Sequence, residues 1–260
     1  MEQPPWATPP DRGSLPCVDI AGRNALITGG AHRVGKALTL ALAGRGANVF
    51  IHYARSSAEA ERTADEVRAL GRAVAIGSAD LGDPAAGPAL VAAATAALGP
   101  ISILVNSASG FPEDTLADVT LEAWRRTHDL TLASPVFLTQ AFAAMLPADT
   151  DGAVVNVTDA KTASPPKRHF SYIVAKGGLD AFTRAAAVAL GPRIRVNAVA
   201  LGVILPPPGE GDAYAERLAA VIPAGRPGGT GPVAAAAMAL IENDFVTGEI
   251  IRVDGGAHLV

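Results

Sequence analysis

The stretch Ala25-Leu26-Ile27-Thr28-Gly29-Gly30-Ala31-His32-Arg33-Val34-Gly35-Lys36-Ala37 constrains the fold of this 260-residue chain more than any other. It reads as a short apolar strand, a glycine turn and the first turn of a helix. Free backbone N–H groups at a helix start attract an anion, and glycine lets the backbone approach it closely. Such a unit is where the pyrophosphate of a dinucleotide docks. At the head of the first strand–helix–strand unit, it predicts that Thr28, Gly29, Arg33, Val34 and Gly35 serve a cofactor site.

The rest of the chain repeats the same alternation. Strands are predicted at Asn24–Thr28, Asn48–His52, Ala73–Gly77, Ile101–Asn106, Ala153–Thr158, Arg193–Val199 and Ile250–Val253, and helices near 34–45, 57–70, 85–98, 121–146, 172–190 and 231–242. Several strands are continuous Val/Ile/Leu/Ala runs, as expected when both faces of a sheet are covered. Strand and helix in alternation predict an α/β fold with one doubly wound (Rossmann) parallel sheet of about seven strands. Residues 20–260 are expected to form a single catalytic domain, behind a flexible Pro-rich tail over 1–19. The irregular segment 205–229, with Pro206-Pro207-Pro208, breaks the rhythm and is expected to be a loop over the substrate.

Composition narrows the partners. Hydrophobic residues make up 49 % of the chain, enough for a sizeable core, and the net charge of −4 comes without a basic run. Nucleic acid and anionic membrane surfaces are therefore not expected partners. No apolar run reaches a membrane span and no secretory signal pattern opens the chain. A single cysteine, Cys17, excludes a disulfide framework and suits a cytoplasmic location. The five histidines are scattered, without metal-site spacing, so no metal is expected.

The end of the second strand distinguishes NAD from NADP. An NAD site needs an acid there for the ribose 2′-OH. This chain has His52-Tyr53-Ala54-Arg55-Ser56-Ser57, with no acid before Glu59. Arg55 and Arg33 can both pair with a 2′-phosphate, and Ser56 adds a hydroxyl. Tyr53, Ala54, Arg55 and Ser56 are thus candidate cofactor residues, and NADPH the expected cofactor. Asp80-Leu81, after the third strand, is a candidate for the adenine edge, although Asp80 also suits a helix N-cap. Tyr172 and Lys176, four apart on a predicted helix, share one face. A phenol is a poor acid at neutral pH, and a neighbouring ammonium is expected to lower its pKa.

With these residues in view, the chain resembles the short-chain dehydrogenase/reductase family over 20–260. The matching features are Thr28-Gly29-x-x-x-x-x-Gly35, Asp80, Val105-Asn106-Ser107-Ala108, Tyr172-x-x-x-Lys176, Arg195-Val196-Asn197 and Val253-Asp254-Gly255-Gly256. The resemblance implies cofactor contacts at Asn106, Ser107, Ala108, Gly202 and Ile204, catalytic roles for Tyr172 and Lys176, and a homotetramer. Two positions depart from the pattern. The usual catalytic serine aligns with Asp159, and the usual mid-helix asparagine, seven residues after Trp124, with Thr131. Arg33, His52-Tyr53-x-Arg55-Ser56, Asn106-x-Ala108-Ser109-x-Phe111 and Asp159 with Tyr172 look like the pteridine reductases of the family. In that subgroup an Asp replaces the Ser, and an aromatic ring after the fourth strand stacks on the pterin. Phe111 matches the ring and Ser109 the polar contact beside it.

The resulting expectation is an NADPH-dependent reductase of a pterin or folate C=N bond, with catalytic Asp159, Tyr172 and Lys176 and a substrate site of Ser109, Phe111, Asp159 and Tyr172. A carboxyl can accept from the amino group of a pterin and, when burial raises its pKa, help supply a proton. Two rivals stand beside it. One is a short-chain reductase of a carbonyl, such as a 3-oxoacyl thioester, sugar or quinone. The other is a non-catalytic NADP-binding sensor or scaffold, to which Asp159 and Thr131 would point.

Overall fold

The computed structural model describes residues 18–206 and 211–260; the expected tail as far as residue 17, and residues 207–210 of the loop insert, lie outside it. Seven parallel strands form one sheet in the order β3-β2-β1-β4-β5-β6-β7. They are β1 (Asn24–Thr28), β2 (Asn48–Tyr53), β3 (Val74–Ser78), β4 (Ile103–Asn106), β5 (Gly152–Asp159), β6 (Ile194–Leu201) and β7 (Ile250–Val253). The helices are α1 (Arg33–Gly44), α2 (Ser57–Ala69), α3 (Ala86–Leu98), α4 (Leu121–His128), α5 (Ser134–Met145), α6 (Phe170–Leu190), α7 (Asp212–Ala219) and α8 (Thr230–Glu242). No helix of the described residues is long and apolar enough to cross a membrane.

The continuous apolar strands feed two cores, because successive side chains leave opposite faces of a sheet. Ala25 and Ile27 of β1 join Leu38 and Leu42 of α1 and Met238 and Ile241 of α8 on one face. Leu26, between them, joins Leu90 of α3 and Leu138 and Phe142 of α5 on the other. Strands β4 and β5 alternate likewise, with Val105 and Val155 on the first face and Leu104 and Val154 on the second. Leu26 is completely buried, and truncating such a residue to Ala costs about 2–5 kcal/mol.

The helix predicted over 121–146 is not continuous. A π-helical stretch, Asp129–Ala133, separates α4 from α5. Pro135 sits in the first turn of α5. It has no N–H for the carbonyl of Thr131, so a regular ladder cannot run through, and the wider turn absorbs the break.

Strand β1 pairs with β2 on one side and β4 on the other, so successive connections leave in opposite directions there. A crevice opens at the carboxyl ends of strands around such a switch point. Both cavities described next lie at that edge.

Candidate active site

The glycine turn follows β1 directly. Gly29 takes φ +63°, and a Cβ there would press on Ala108 after β4. Gly35 is also required, since a Cβ on it would collide with the carbonyl of Gly29. The Thr28 hydroxyl joins the two strand ends by accepting from the N–H of Ser107 at 2.9 Å and of Ala108 at 3.0 Å. Thr28 therefore acts behind the turn as a brace.

A cleft of about 410 Å³ runs across this edge. Its walls include Gly29, Arg33, Val34 and Gly35 of the turn, Tyr53, Ala54, Arg55 and Ser56 after β2, Asp80 and Leu81 after β3, and Ser107, Ala108 and Ser109 after β4. Tyr172 and Lys176 close one end. Besides Thr28, three expected members stand elsewhere. The Asn106 side chain points into the core, where its Nδ2 donates to Asn156 Oδ1 at 2.9 Å. Ile204 is buried and joins the core that includes α1 and α8, so its side chain packs the fold. Its strand-end neighbour Gly202 lines a second cavity.

Arg33 and Asp80 are engaged on the cleft wall. Arg33 has φ +54° and its guanidinium donates to the carbonyl of Pro206 at 2.7 Å. Asp80 receives a bidentate pair from Arg126 of α4, at 2.8 and 3.1 Å. Hydrogen bonds from Arg126 and from the Gly82 N–H hold the Asp80 carboxyl below its usual range. Arg126 also lines the cleft. It was not foreseen, because nothing in a spacing links a side chain on α4 to one 46 residues earlier.

The second cavity, about 270 Å³, is lined by Phe111, Asp159, Lys161, His169, Tyr214 and His258, among others. Leu201 borders both cavities. The Phe111 ring stacks on His169 at 3.8 Å between centroids and meets Tyr172 edge-on at 4.9 Å. Ser109, expected beside the substrate, instead borders the first cleft, with its hydroxyl 3.5 Å from that of Thr131. His169 and His258 were missed as site residues, since no local pattern marks a lone histidine for a distant cavity.

The two cavities meet at Tyr172 and Asp159. The phenol O–H donates to Asp159 Oδ2 at 2.9 Å, and the Lys161 N–H donates to Oδ1 at 2.8 Å. Burial raises the Asp159 pKa; the bonds from Lys161 and Tyr172 and the Lys176 charge oppose this without cancelling it. Burial and the facing Asp159 push the Tyr172 phenol well above its ordinary value. The expectation that Lys176 depresses the phenol is corrected here. The Lys176 ammonium donates to the carbonyl of Val157, at 2.6 Å, and stands 5.6 Å from the Tyr172 ring centroid. A dry carboxylate partner outweighs it. Burial in turn lowers Lys176 to about 8. Tyr172 is thus a protonated phenol, poised to give up its proton only when a group in the cavity demands it.

A dinucleotide fits the first cleft on chemical grounds. Lys176 is 3 % exposed, yet the carbonyl of Val157 is its one hydrogen-bond acceptor among the described residues, which leaves two N–H donors for a ligand.

The comparisons agree with this geometry. A family model described as Enoyl-(Acyl carrier protein) reductase matches residues 29–258. The crystal structure of FolM alternative dihydrofolate reductase 1 from Brucella canis, complexed with NADP, superposes with a TM-score of 0.87 at 37 % identity, over 94 % of this chain and 97 % of that one. The 3-oxoacyl-[acyl-carrier-protein] reductase of Synechocystis is 32 % identical over 91 % of this chain and 97 % of its own. Versicolorin reductase 1 of Aspergillus parasiticus is 34 % identical over 92 % and 97 %. The chain belongs to the short-chain dehydrogenase/reductase family of oxidoreductases.

Proposed function

We propose that this chain is an NADPH-dependent reductase of a pterin or folate C=N bond, with a dihydropteridine or dihydrofolate as substrate. The observation that carries the reading is the Asp159–Tyr172 hydrogen bond, opening onto a cavity whose wall is the Phe111 ring. The similarity to FolM alternative dihydrofolate reductase 1, whose structure holds NADP, supports it.

In this reading the glycine turn receives the pyrophosphate, and Arg55, Ser56 and Arg33 receive the 2′-phosphate. Lys176 holds the ribose with its spare N–H donors, and Asp80 with Leu81 borders the adenine. Bound NADPH supplies the hydride. The protein supplies the rest. Phe111 offers a ring face to a flat heterocycle. Asp159 accepts from the amino group and ring N–H of the pterin. Tyr172, protonated at neutral pH, delivers its proton to the ring nitrogen of the reduced bond. Asp159 then takes up a proton from solvent and passes it to the Tyr172 phenolate along their hydrogen bond.

Leu205, Pro206 and Tyr214, all within 205–229, border the second cavity, which supports that segment as a substrate loop on a single catalytic domain. Phe137 on α5 and Val188 on α6 are apolar and 42 % and 85 % exposed, which supports burial against further copies in a homotetramer. A cytoplasmic location rests on the lone cysteine.

A second reading, reduction of a carbonyl, draws on the Synechocystis and Aspergillus relatives by their names. Asp159 speaks against it, since an acyl carbonyl calls for a neutral hydroxyl donor at that position. The test is the initial rate of NADPH oxidation by the purified protein with dihydrofolate and dihydrobiopterin, set against a 3-oxoacyl thioester and a diketone. Turnover of the thioester without turnover of either pterin would establish the second reading.

A further inference from the structure

His52, on β2, is almost completely buried and belongs to neither the catalytic pair nor the phosphate-binding arginines. It nevertheless holds the glycine turn in two places and ties it to the chain after β3 in a third. Its Nδ1 accepts from the N–H of Gly29 at 3.1 Å, its own carbonyl accepts from the N–H of Gly30 at 3.0 Å, and its Nε2 lies 3.0 Å from the carbonyl of Ala79. A carbonyl can only accept, so Nε2 carries the proton. Gly29 N–H can only donate, so Nδ1 carries the lone pair. The two partners fix one neutral tautomer. A second proton would set two donors, Nδ1–H and Gly29 N–H, against each other in the first residue of the turn.

We propose that His52 is the positioning residue of the glycine turn: its neutral Nε2–H tautomer fixes Gly29, and with it the backbone that faces the cofactor phosphates, while a second proton releases it. The inference rests on the reading of the cleft as a nicotinamide dinucleotide site. It makes the acid limit of cofactor binding a property of a buried side chain on the cleft wall, outside the catalytic pair and the phosphate-binding arginines.

The surroundings favour the neutral form. The ionisable groups on the same cleft are Tyr53 at the end of β2 and Arg55 beyond it, His32 and Arg33 after the turn, Asp80 after β3, Arg126 on α4, and Tyr172 and Lys176 on α6. Asp80 is taken up by Arg126. His52 is lowered by burial, opposed by its bond to Ala79, with no charged partner contributing among the described residues.

The experiment is calorimetric titration with NADP⁺ between pH 5 and 8, on the parent, His52→Asn and His52→Phe, with thermal unfolding of each. An Asn Oδ1 can stand in for Nδ1 as acceptor for Gly29, and it does not titrate. A Phe keeps the volume and neither bond. At pH 7.5 the Asn variant is expected to bind NADP⁺ within about threefold of the parent, and the Phe variant at least about tenfold more weakly. Toward acid, parent affinity falls by up to about tenfold per pH unit from this one proton. The 2′-phosphate, with its own pKa of about 6, adds its share in every variant alike. The acid fall of the Asn variant is therefore shallower than that of the parent. Equal acid falls in parent and Asn variant, or undiminished binding by a folded Phe variant, would overturn the inference. A parent that binds no NADP⁺ at any pH would instead overturn the cofactor reading beneath it.

Discussion

The Tyr172 hydroxyl donates to Asp159 Oδ2 at 2.9 Å, at the place where the two cavities of the carboxyl edge meet. The phenol comes from α6 and the carboxylate from the end of β5. Burial raises the pKa of both groups; Asp159 raises Tyr172 further, whereas the bond from the phenol holds Asp159 lower. This pairing separates the site from one built around a serine hydroxyl, which could donate but carry no charge.

Tyr172→Phe removes the proton donor and leaves the cleft walls in place. Turnover is expected to fall by roughly 10²–10⁴-fold, the usual share of a general acid. Binding of NADPH, followed by fluorescence, should stay close to that of the parent. Retention of most activity would assign the proton to another donor.

Asp159→Asn tests the burial of the carboxylate through stability. The folded pKa is raised, so the folded protein binds this proton more tightly than the unfolded chain. The stabilising share of the group is complete below the unfolded value of about 3.9 and is lost as pH rises through the folded one. Once ionised, the carboxylate is therefore a burden. The Asn variant is expected to melt higher than the parent at pH 7.5, with the gap closing toward pH 4, by differential scanning calorimetry. Loss of pterin turnover should accompany the gain.

Lys176 sets an alkaline limit. Its folded pKa of about 8 lies below the ordinary lysine value of 10.5 because the ammonium is buried. The charge and one of the three N–H donors are lost as pH rises through about 8, so cofactor affinity and kcat/KM should decline there. The stability effect has the opposite sign. Between about 8 and 10.5 the unfolded chain binds the extra proton, and the fold gains stability as pH rises. A kcat/KM profile flat from pH 7 to 9.5 would remove Lys176 from the binding role.

Arg55 is expected to control the choice of cofactor. No carboxylate stands between it and the end of β2. A charge-assisted bond to a 2′-phosphate contributes about 1.5–3 kcal/mol, and NADH cannot form it. NADPH is expected to bind at least about tenfold more tightly than NADH, and Arg55→Asp to reverse that order. Arg33→Ala should have the smaller effect, since its guanidinium already serves the carbonyl of Pro206.

Much of this architecture is legible in the residues themselves. The strands Asn24–Thr28 and Ile250–Val253 fall where the apolar runs place them, and every other strand lies within two residues at each end. The glycine turn, Arg55 and the Tyr172–Lys176 pair are local signatures, and local backbone chemistry decides them. What stayed hidden is long-range. The helix over 121–146 looks continuous by periodicity, but Pro135 removes one N–H and opens a π turn at Thr131. The side chain of Asn106 belongs to a buried amide pair with Asn156, a partner 50 residues away. Arg126, His52 and His169 acquire their places only when the sheet gathers the loops. The Tyr172 pKa was misjudged because helical spacing reveals the lysine on its own face but not the carboxylate from β5.

Phe111→Ala should act on one substrate and spare the cofactor. The ring is 54 % exposed and held by stacking on His169, so its removal leaves the core intact. Aromatic stacking contributes about 0.5–1.5 kcal/mol beyond area burial. KM for the pterin is expected to rise about three- to tenfold, with NADPH affinity unchanged. An unaltered KM would place the heterocycle elsewhere.

The most direct measurement of the central claim is the ratio of kcat/KM for dihydrofolate to that for a 3-oxoacyl thioester, both with NADPH, in the parent and in Asp159→Ser. The expected parent strongly favours dihydrofolate, and the Ser variant loses that preference as pterin turnover collapses. A parent that reduces the thioester and ignores dihydrofolate and dihydrobiopterin, or a Ser variant that keeps full pterin turnover, would contradict it.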